Sequence, residues 1–324
     1  MRSGRACLAL LTAATLAAGA AMWPAPAAGG ARANLDWFGP QLLPKYRIVS
    51  YYGNPLSATM GVLGQGSSGR MLARLAAQEQ AYRVADPSRP VLGALELVAV
   101  VAQSSPGPQG YYSAQMPYSL IQGELDLARR HHLLLILDVQ IGHASVQTEV
   151  RYLAPFLRQP DVELALDPEF AMRPGDIPGV EFGSMPTPPV NWALAYLQAI
   201  VERDHLPQKI LILHQFIESM VPDWQGIEEQ PDVALVRDLD GFGDWGRKAG
   251  EYEQFIQQES IPYVVPFEVP IGVRGALNAG YATEIRQHVV VCGGVKIFYT
   301  QDTPPEPPSV VLSLDPPPLV VIYQ

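Results

Sequence analysis

Short apolar runs alternate with amphipathic stretches along most of the chain. Residues 46–52 read as a strand that ends at Gly53-Asn54-Pro55. A Gly/Ser loop then leads to a helix from about Arg70, with Leu72, Leu75 and Ala76 on one face. A second strand is expected over 91–102. The helix near Ser119 follows, with Ile121, Leu125 and Ala128 as its stripe. Residues 132–138 are all Leu and Ile between His132 and Asp138. A strand without alternation is covered on both faces, as in a parallel sheet. A helix over 145–157 and a strand over 162–167 come next, then a Pro/Gly-rich loop through Pro189. The helix after it carries Trp192, Ala195, Tyr196 and Ala199 at core spacing.

The second half repeats the scheme. Strands are expected at 209–214, 233–237, 263–267 and 295–299, with helices at 245–258 and 282–287. A loop holding Pro222-Asp223-Trp224 stands in for one long helix. About eight strands, each followed by a helix or crossover loop, fit an α/β fold of the (β/α)8 TIM-barrel type, whose usual size is about 250 residues. A doubly wound open sheet is the other arrangement this order allows. The barrel would occupy 34–303. Residues 304–324, with two proline clusters, form a tail packing on it, and 319–323 could add one last edge strand.

The N-terminus has a different character. Arg2 and Arg5 precede an uncharged apolar run, and the A-x-A forms Ala25-Pro26-Ala27 and Ala31-Arg32-Ala33 follow. That is the layout of a signal peptide over 1–33, and it implies a secreted or extracytoplasmic protein with no membrane span once the segment is removed. Cys7 would leave with it, so Cys292 would remain as a single buried thiol, without a disulfide. The formal net charge of −10 is spread without a basic run. Such a chain lacks the footprint that neutralises phosphates, which argues against nucleic acid as a partner.

Chemistry in a barrel of this type sits at the C-terminal ends of the strands. Those ends carry Tyr51 and Tyr52, Asp138 and Gln140, Asp167 and Glu169, His214 and Gln215, Asp238 and Asp240, Glu268, and Tyr299 with Gln301. Residues i and i+2 share one face of a strand. Three strands therefore present a paired polar step at one rim. Crowded carboxyls raise one another's pKa, so one can stay protonated as a general acid beside an ionised partner. Glycoside hydrolysis uses such a pair. Rim aromatics (Tyr111, Tyr112, Trp224, Phe242 and Trp245 besides the two tyrosines above) suit the stacking of sugar rings.

Asp167-Pro168-Glu169 resembles the D-x-E of secreted lysozyme-like and chitinase-like barrel glycosidases. The resemblance covers this motif and the barrel scheme; Ala165 stands where the longer chitinase pattern has a further Asp. It implies Glu169 as the acid and Asp167 as its partner; Asp138, by its strand-end placement, is a further catalytic candidate. The remaining strand-end residues would contact a carbohydrate substrate, and no cofactor or metal is called for. The other reading is a barrel that binds glycan or cell envelope without cleaving it. Two weaker signals point elsewhere. Gly64-Gln65-Gly66-Ser67-Ser68-Gly69 has dinucleotide spacing, but it lies about ten residues past its strand rather than directly after it. Asp138, His143 and His214 could together offer three zinc ligands at one rim.

Overall fold

The computed structural model describes residues 37–257 and 292–324. The first half runs β1 (Arg47–Gly53), α1 (Ser68–Ala85), β2 (Val91–Ala102), β3 (Ser113–Gln115), α2 (Tyr118–Arg130), β4 (Leu134–Val139), α3 (Val146–Tyr152), α4 (Ala154–Leu157) and β5 (Val162–Leu166). The second half runs α5 (Thr187–Asp204), β6 (Lys209–Gln215), β7 (Val233–Leu239), α6 (Trp245–Gln257), β8 (Cys292–Ile297), α7 (Pro308–Val311) and β9 (Val320–Tyr323). The order around the sheet is β1-β9-β8-β7-β6-β5-β4-β2, and β1 pairs with β2. These eight strands are parallel to their neighbours and close into a ring. The chain is a (β/α)8 barrel, with β3 as a short antiparallel addition to the end of β2.

The sequence pattern explains most of this. Every residue of β1, β4, β5 and β6 is buried, as expected for strands covered by helices outside and side chains inside. Helix starts are fixed locally: the Ser67 hydroxyl accepts from Arg70 N ahead of α1, and the Ser145 hydroxyl from Thr148 N ahead of α3. The single helix expected over 145–157 is divided into α3 and α4, because Pro155 has no N–H to continue the first one. Between β6 and β7 the long helix is replaced by single 3-10 turns at Glu218–Met220 and Trp224–Gly226.

Two expectations are corrected. Val320–Tyr323 is not an edge strand but β9, hydrogen-bonded to β8 on one side and β1 on the other. All four of its residues are buried, so the last stretch of the tail is barrel wall. The strand placed at 295–299 is β8 and begins at Cys292. Its glycines are wall residues: a Cβ at Gly293 would meet the Tyr252 hydroxyl at 2.0 Å, and one at Gly294 the Asp238 Oδ1 at 2.8 Å. The signal segment 1–33, the strand at 263–267, Glu268 and the helix at 282–287 lie outside the described residues. No helix among the described residues is long and apolar enough to cross a membrane.

Buried apolar residues fall into two groups. One joins strand residues to α1, α2, α3, α5 and α6, and so fills the space between wall and helices. The other fills the barrel interior with strand residues, including Ile48, Ala94, Ile136, Ala165, Ile212, Val236, Cys292 and Ile322. Phe38, Leu42 and Leu43 complete it from the N-terminal side. They are held there by the Gln208 side-chain carbonyl, which accepts from Leu42 N at 3.0 Å and Leu43 N at 2.8 Å. The base of the barrel is thus a largely apolar plug, interrupted by the buried Glu163 carboxyl, which accepts from Ile210 N at 2.6 Å and stands 4.0 Å from Lys209 Nζ. Cys292 belongs to it, and burial pushes its thiol up to about 11. A maleimide should label it in the unfolded chain and only very slowly in the native one. Rapid native labelling would contradict this packing.

Candidate active site

Inward positions recur every second residue, so the apolar series can be continued toward the strand ends. After Ile48 and Ser50 comes Tyr52; after Leu92 and Ala94 comes Glu96; after Ile136 comes Asp138; after Ala165 comes Asp167. On the far side Ile212 is followed by His214, Val236 by Asp238, and Gly294 by Lys296. All seven of these polar or titratable side chains are buried. The interior therefore changes from hydrocarbon to charge at the C-terminal end of the ring, where barrel chemistry sits. Gly294 makes room for this change, since any side chain there would strike Asp238.

Two further acids follow the wall. Asp240 lies two residues beyond Asp238, just past β7. Glu169 sits in the 3-10 turn Pro168–Phe170, whose first N–H is capped by Asp167: its Oδ1 accepts from Glu169 N at 3.3 Å. That turn lifts Glu169 off the wall, and it is the least buried of the six carboxyls Glu96, Asp138, Asp167, Glu169, Asp238 and Asp240. Asp167, Glu169 and Asp240 converge, each offering an oxygen within 4.8 Å of the others. That donor set suits a hard cation. Lys296 Nζ already stands 3.9 Å from Asp240 Oδ2 and supplies part of the positive charge such an ion would bring.

His214 is gripped at both ring nitrogens, Nδ1 at 3.0 Å from Asp238 Oδ2 and Nε2 at 2.8 Å from Glu96 Oε1. Both nitrogens can donate only in the imidazolium form. Burial and the Lys296 charge oppose that form, but the two carboxylate hydrogen bonds outweigh them and the pKa rises well above its ordinary value. Lys296 behaves alike: burial would lower it, yet Asp240, Glu96, Asp167 and Asp138 leave it raised. Its ammonium also stands 3.7 Å from the centre of the Tyr52 ring. The Tyr52 hydroxyl donates to Asp138 Oδ2 at 3.0 Å and faces Gln140 Nε2 at 3.3 Å, and Gln140 Oε1 accepts from Ala102 N. This chain ties β1, β4 and the end of β2 together.

Six carboxyls face two cations, so they cannot all ionise in a dry interior. Burial, with the neighbouring Glu96 charge, pushes Asp138 up to about 6. Burial and the Asp138 and Glu169 carboxyls push Asp167 well above its ordinary range. Burial and Asp240 push Glu169 up to about 7. Asp240 is raised by burial as well, but Lys296 and His214 pull against the rise.

No protein-family model, curated protein or solved structure matches the chain.

The structure brings together Tyr52, Asp138, Gln140, Asp167, Glu169, His214, Asp238 and Asp240 from the sequence-derived set. It separates four others. Tyr51 points outward, where its hydroxyl meets that of Tyr299 at 3.2 Å, and Tyr299 stacks on Tyr323 outside the wall. Gln215 also faces outward: its Oε1 accepts from Arg237 Nε at 2.9 Å. Gln301 is exposed on the loop after β8. Trp224, expected as a rim aromatic, is buried over Arg237. His143 bonds the Asp176 carbonyl through Nε2 at 2.8 Å, while both nitrogens of His214 are taken by carboxylates, so the three-residue zinc arrangement is not formed. Glu96 and Lys296 are the site residues that sequence reading missed. The signal was present: each is the single charge inside an otherwise apolar strand, at an inward position.

Proposed function

We propose that this barrel is a glycoside hydrolase acting on a polysaccharide or cell-wall glycan by carboxylate acid/base catalysis. The carrying observation is the convergence of Glu169 with Asp240 at the barrel mouth in contrasting surroundings. Among the described residues no cation stands within 4 Å of Glu169, and burial with Asp240 pushes its carboxyl up to about 7 against the pull of Lys296 and His214, so it keeps a proton near neutrality. Asp240 has Lys296 Nζ at 3.9 Å and His214 Nδ1 at 4.0 Å, which favour its ionised form. Two carboxyls driven apart in this way divide the acid and base roles. Glu169 would protonate the leaving glycosidic oxygen. Asp240 would stabilise or attack the oxocarbenium-like carbon, and Asp167 would hold the turn that aims Glu169.

The spacing carries a stereochemical consequence. Carboxyl oxygens within 4.8 Å of one another put the pair on the short side, nearer the about 5–5.5 Å of retaining enzymes than the about 6.5–9.5 Å of inverting ones. The depth of Asp138 and Asp167 favours the second reading, a barrel that holds glycan without cleaving it. A panel of glycans that includes peptidoglycan fragments separates the two. Proton NMR of the first product formed should show the anomer of the substrate. Binding without product release would leave the second reading standing, and an inverted first product would remove Asp240 as nucleophile.

A further inference from the structure

Of the eight large apolar side chains left exposed among the described residues, Val84 and Tyr118 lie on α1 and α2, and the other six are grouped. Leu56, Tyr111, Ile177, Val180, Phe182 and Phe242 all lie on loops that follow C-terminal strand ends, the rim of the charged mouth. Phe182 and Phe242 are the two largest of those more than half exposed, at 63% and 60%. Both are coupled to the acids by the backbone. Gly183 N donates to the Glu169 carbonyl at 2.6 Å, and a Cβ on Gly183 would approach that same carbonyl to 2.7 Å, so the chain beside Phe182 is pressed onto the Glu169 turn. Phe242 follows Asp240 by two residues, and Gly243 N is anchored on Asp302 Oδ1 at 2.9 Å. Each exposed ring is braced by a half-buried one: Phe182 against Phe216 with centroids 5.3 Å apart, Phe242 against Phe298 at 5.9 Å. Gly241, next to Phe242, comes close to the first pair, its Cβ position 3.3 Å from the Phe216 Cβ. Two braced aromatic rings thus stand on the loops that carry Glu169 and Asp240.

A braced ring that stays wet is poor core material and good binding surface. Its occupant must suit both the ring faces and the six carboxyls next to them. Sugar rings offer apolar C–H faces to aromatic rings. The carboxyl-rich mouth repels sugars that carry carboxylate or phosphate. We propose that Phe182 and Phe242 form the substrate platform of this site, each stacking a ring of a glycan chain that is neutral or amine-bearing, with the bond between the two rings delivered to Glu169. The inference rests on the hydrolase reading for the place of cleavage, but the platform itself is a binding surface and is tested as one.

The experiment uses Glu169→Gln, which should cleave the probe about 10²–10⁴-fold more slowly, alone and combined with Phe182→Ala, Phe242→Ala or both. Binding of cellohexaose, N-acetylchitohexaose, chitosan hexamer and hexagalacturonate is measured by calorimetry. At least one of the first three should bind, hexagalacturonate should not, and each Phe→Ala should weaken affinity about tenfold, the worth of one lost aromatic contact. Tryptophan in place of Phe182 should retain binding. The platform is overturned if none of the three hexamers binds, if hexagalacturonate binds as well as they do, or if the Phe→Ala variants bind unchanged. A bound hexamer that the unmutated chain fails to cleave would instead sink the hydrolase reading and leave the platform in place.

Discussion

Replacing Glu169 by glutamine should lower turnover of a cleaved glycan by about 10²–10⁴-fold, the usual worth of a general acid. Glycan affinity should change little, because the amide keeps the size and hydrogen-bonding reach of the carboxyl. The argument starts from the turn that Asp167 caps, which sets Glu169 above the buried acids at the mouth. Burial and the nearby Asp240 carboxyl then push Glu169 up to about 7. The acid works only while protonated, so kcat/KM of the unmutated chain should fall as pH rises through that value. Stability supplies an internal check with its own sign. A carboxyl pKa raised on folding favours the folded state below the unfolded pKa, and this contribution is lost as pH rises through the folded pKa. Glutamine does not titrate. The stability of Glu169→Gln relative to the unmutated chain should therefore increase from about pH 5 to pH 8 in denaturant unfolding, while its turnover stays low. Such a pair of results separates lost chemistry from lost folding. Turnover retained within tenfold would take strand β5 out of the mechanism.

The barrel was legible because its wall is written in short apolar runs at regular intervals, and the runs at 132–138 and 162–167 show no alternation. Asp138, Asp167, His214 and Asp238 could be found because each stands where an inward series meets the strand end. Adjacent residues with the same polar character could not be told apart on that basis. Tyr51 and Tyr52 are one step apart and lie on opposite sides of the wall. Counting by two from Ile48 selects Tyr52 and sends Tyr51 to the helices. His214 and Gln215 divide in the same way. What stayed unreadable depends on long-range partners. Nothing local distinguishes a four-residue terminal run as an edge strand from the same run as β9 between β8 and β1. Nothing local shows that two glycines in β8 are there to admit Tyr252 on one face and Asp238 on the other. Glu96 and Lys296 fell between the two cases. Their inward register was countable, but a lone charge in an apolar strand reads first as an interruption.

Lys296→Met should be the most destabilising single change at the site, costing about 3–5 kcal/mol above neutral pH, as when one partner of a buried ion pair is removed. Methionine matches the lysine stem and keeps the packing against Tyr52. What it removes is the ammonium 3.9 Å from Asp240 Oδ2, the one lysine charge inside a mouth lined by six carboxyls. The dependence on pH identifies the cause. Lys296 stabilises the fold only through carboxyls that are ionised. As pH falls, Asp138 protonates near 6, Asp240 and Asp167 also carry raised values, and the ammonium loses its partners. A buried cation with fewer anions around it opposes folding, so the penalty for Lys296→Met should shrink as pH falls from 8 through about 6. A packing defect would instead give the same loss across that range. Activity should fall as well, because Asp240 without Lys296 takes up a proton more readily and ceases to be an anion at the pH where Glu169 is still an acid. The acidic limb of the pH profile should therefore move upward toward the alkaline limb that Glu169 sets, narrowing the active range from one side. An unfolding penalty that does not vary with pH, or an acidic limb that stays in place, would show that Lys296 fills space rather than holding Asp240 in its ionised form.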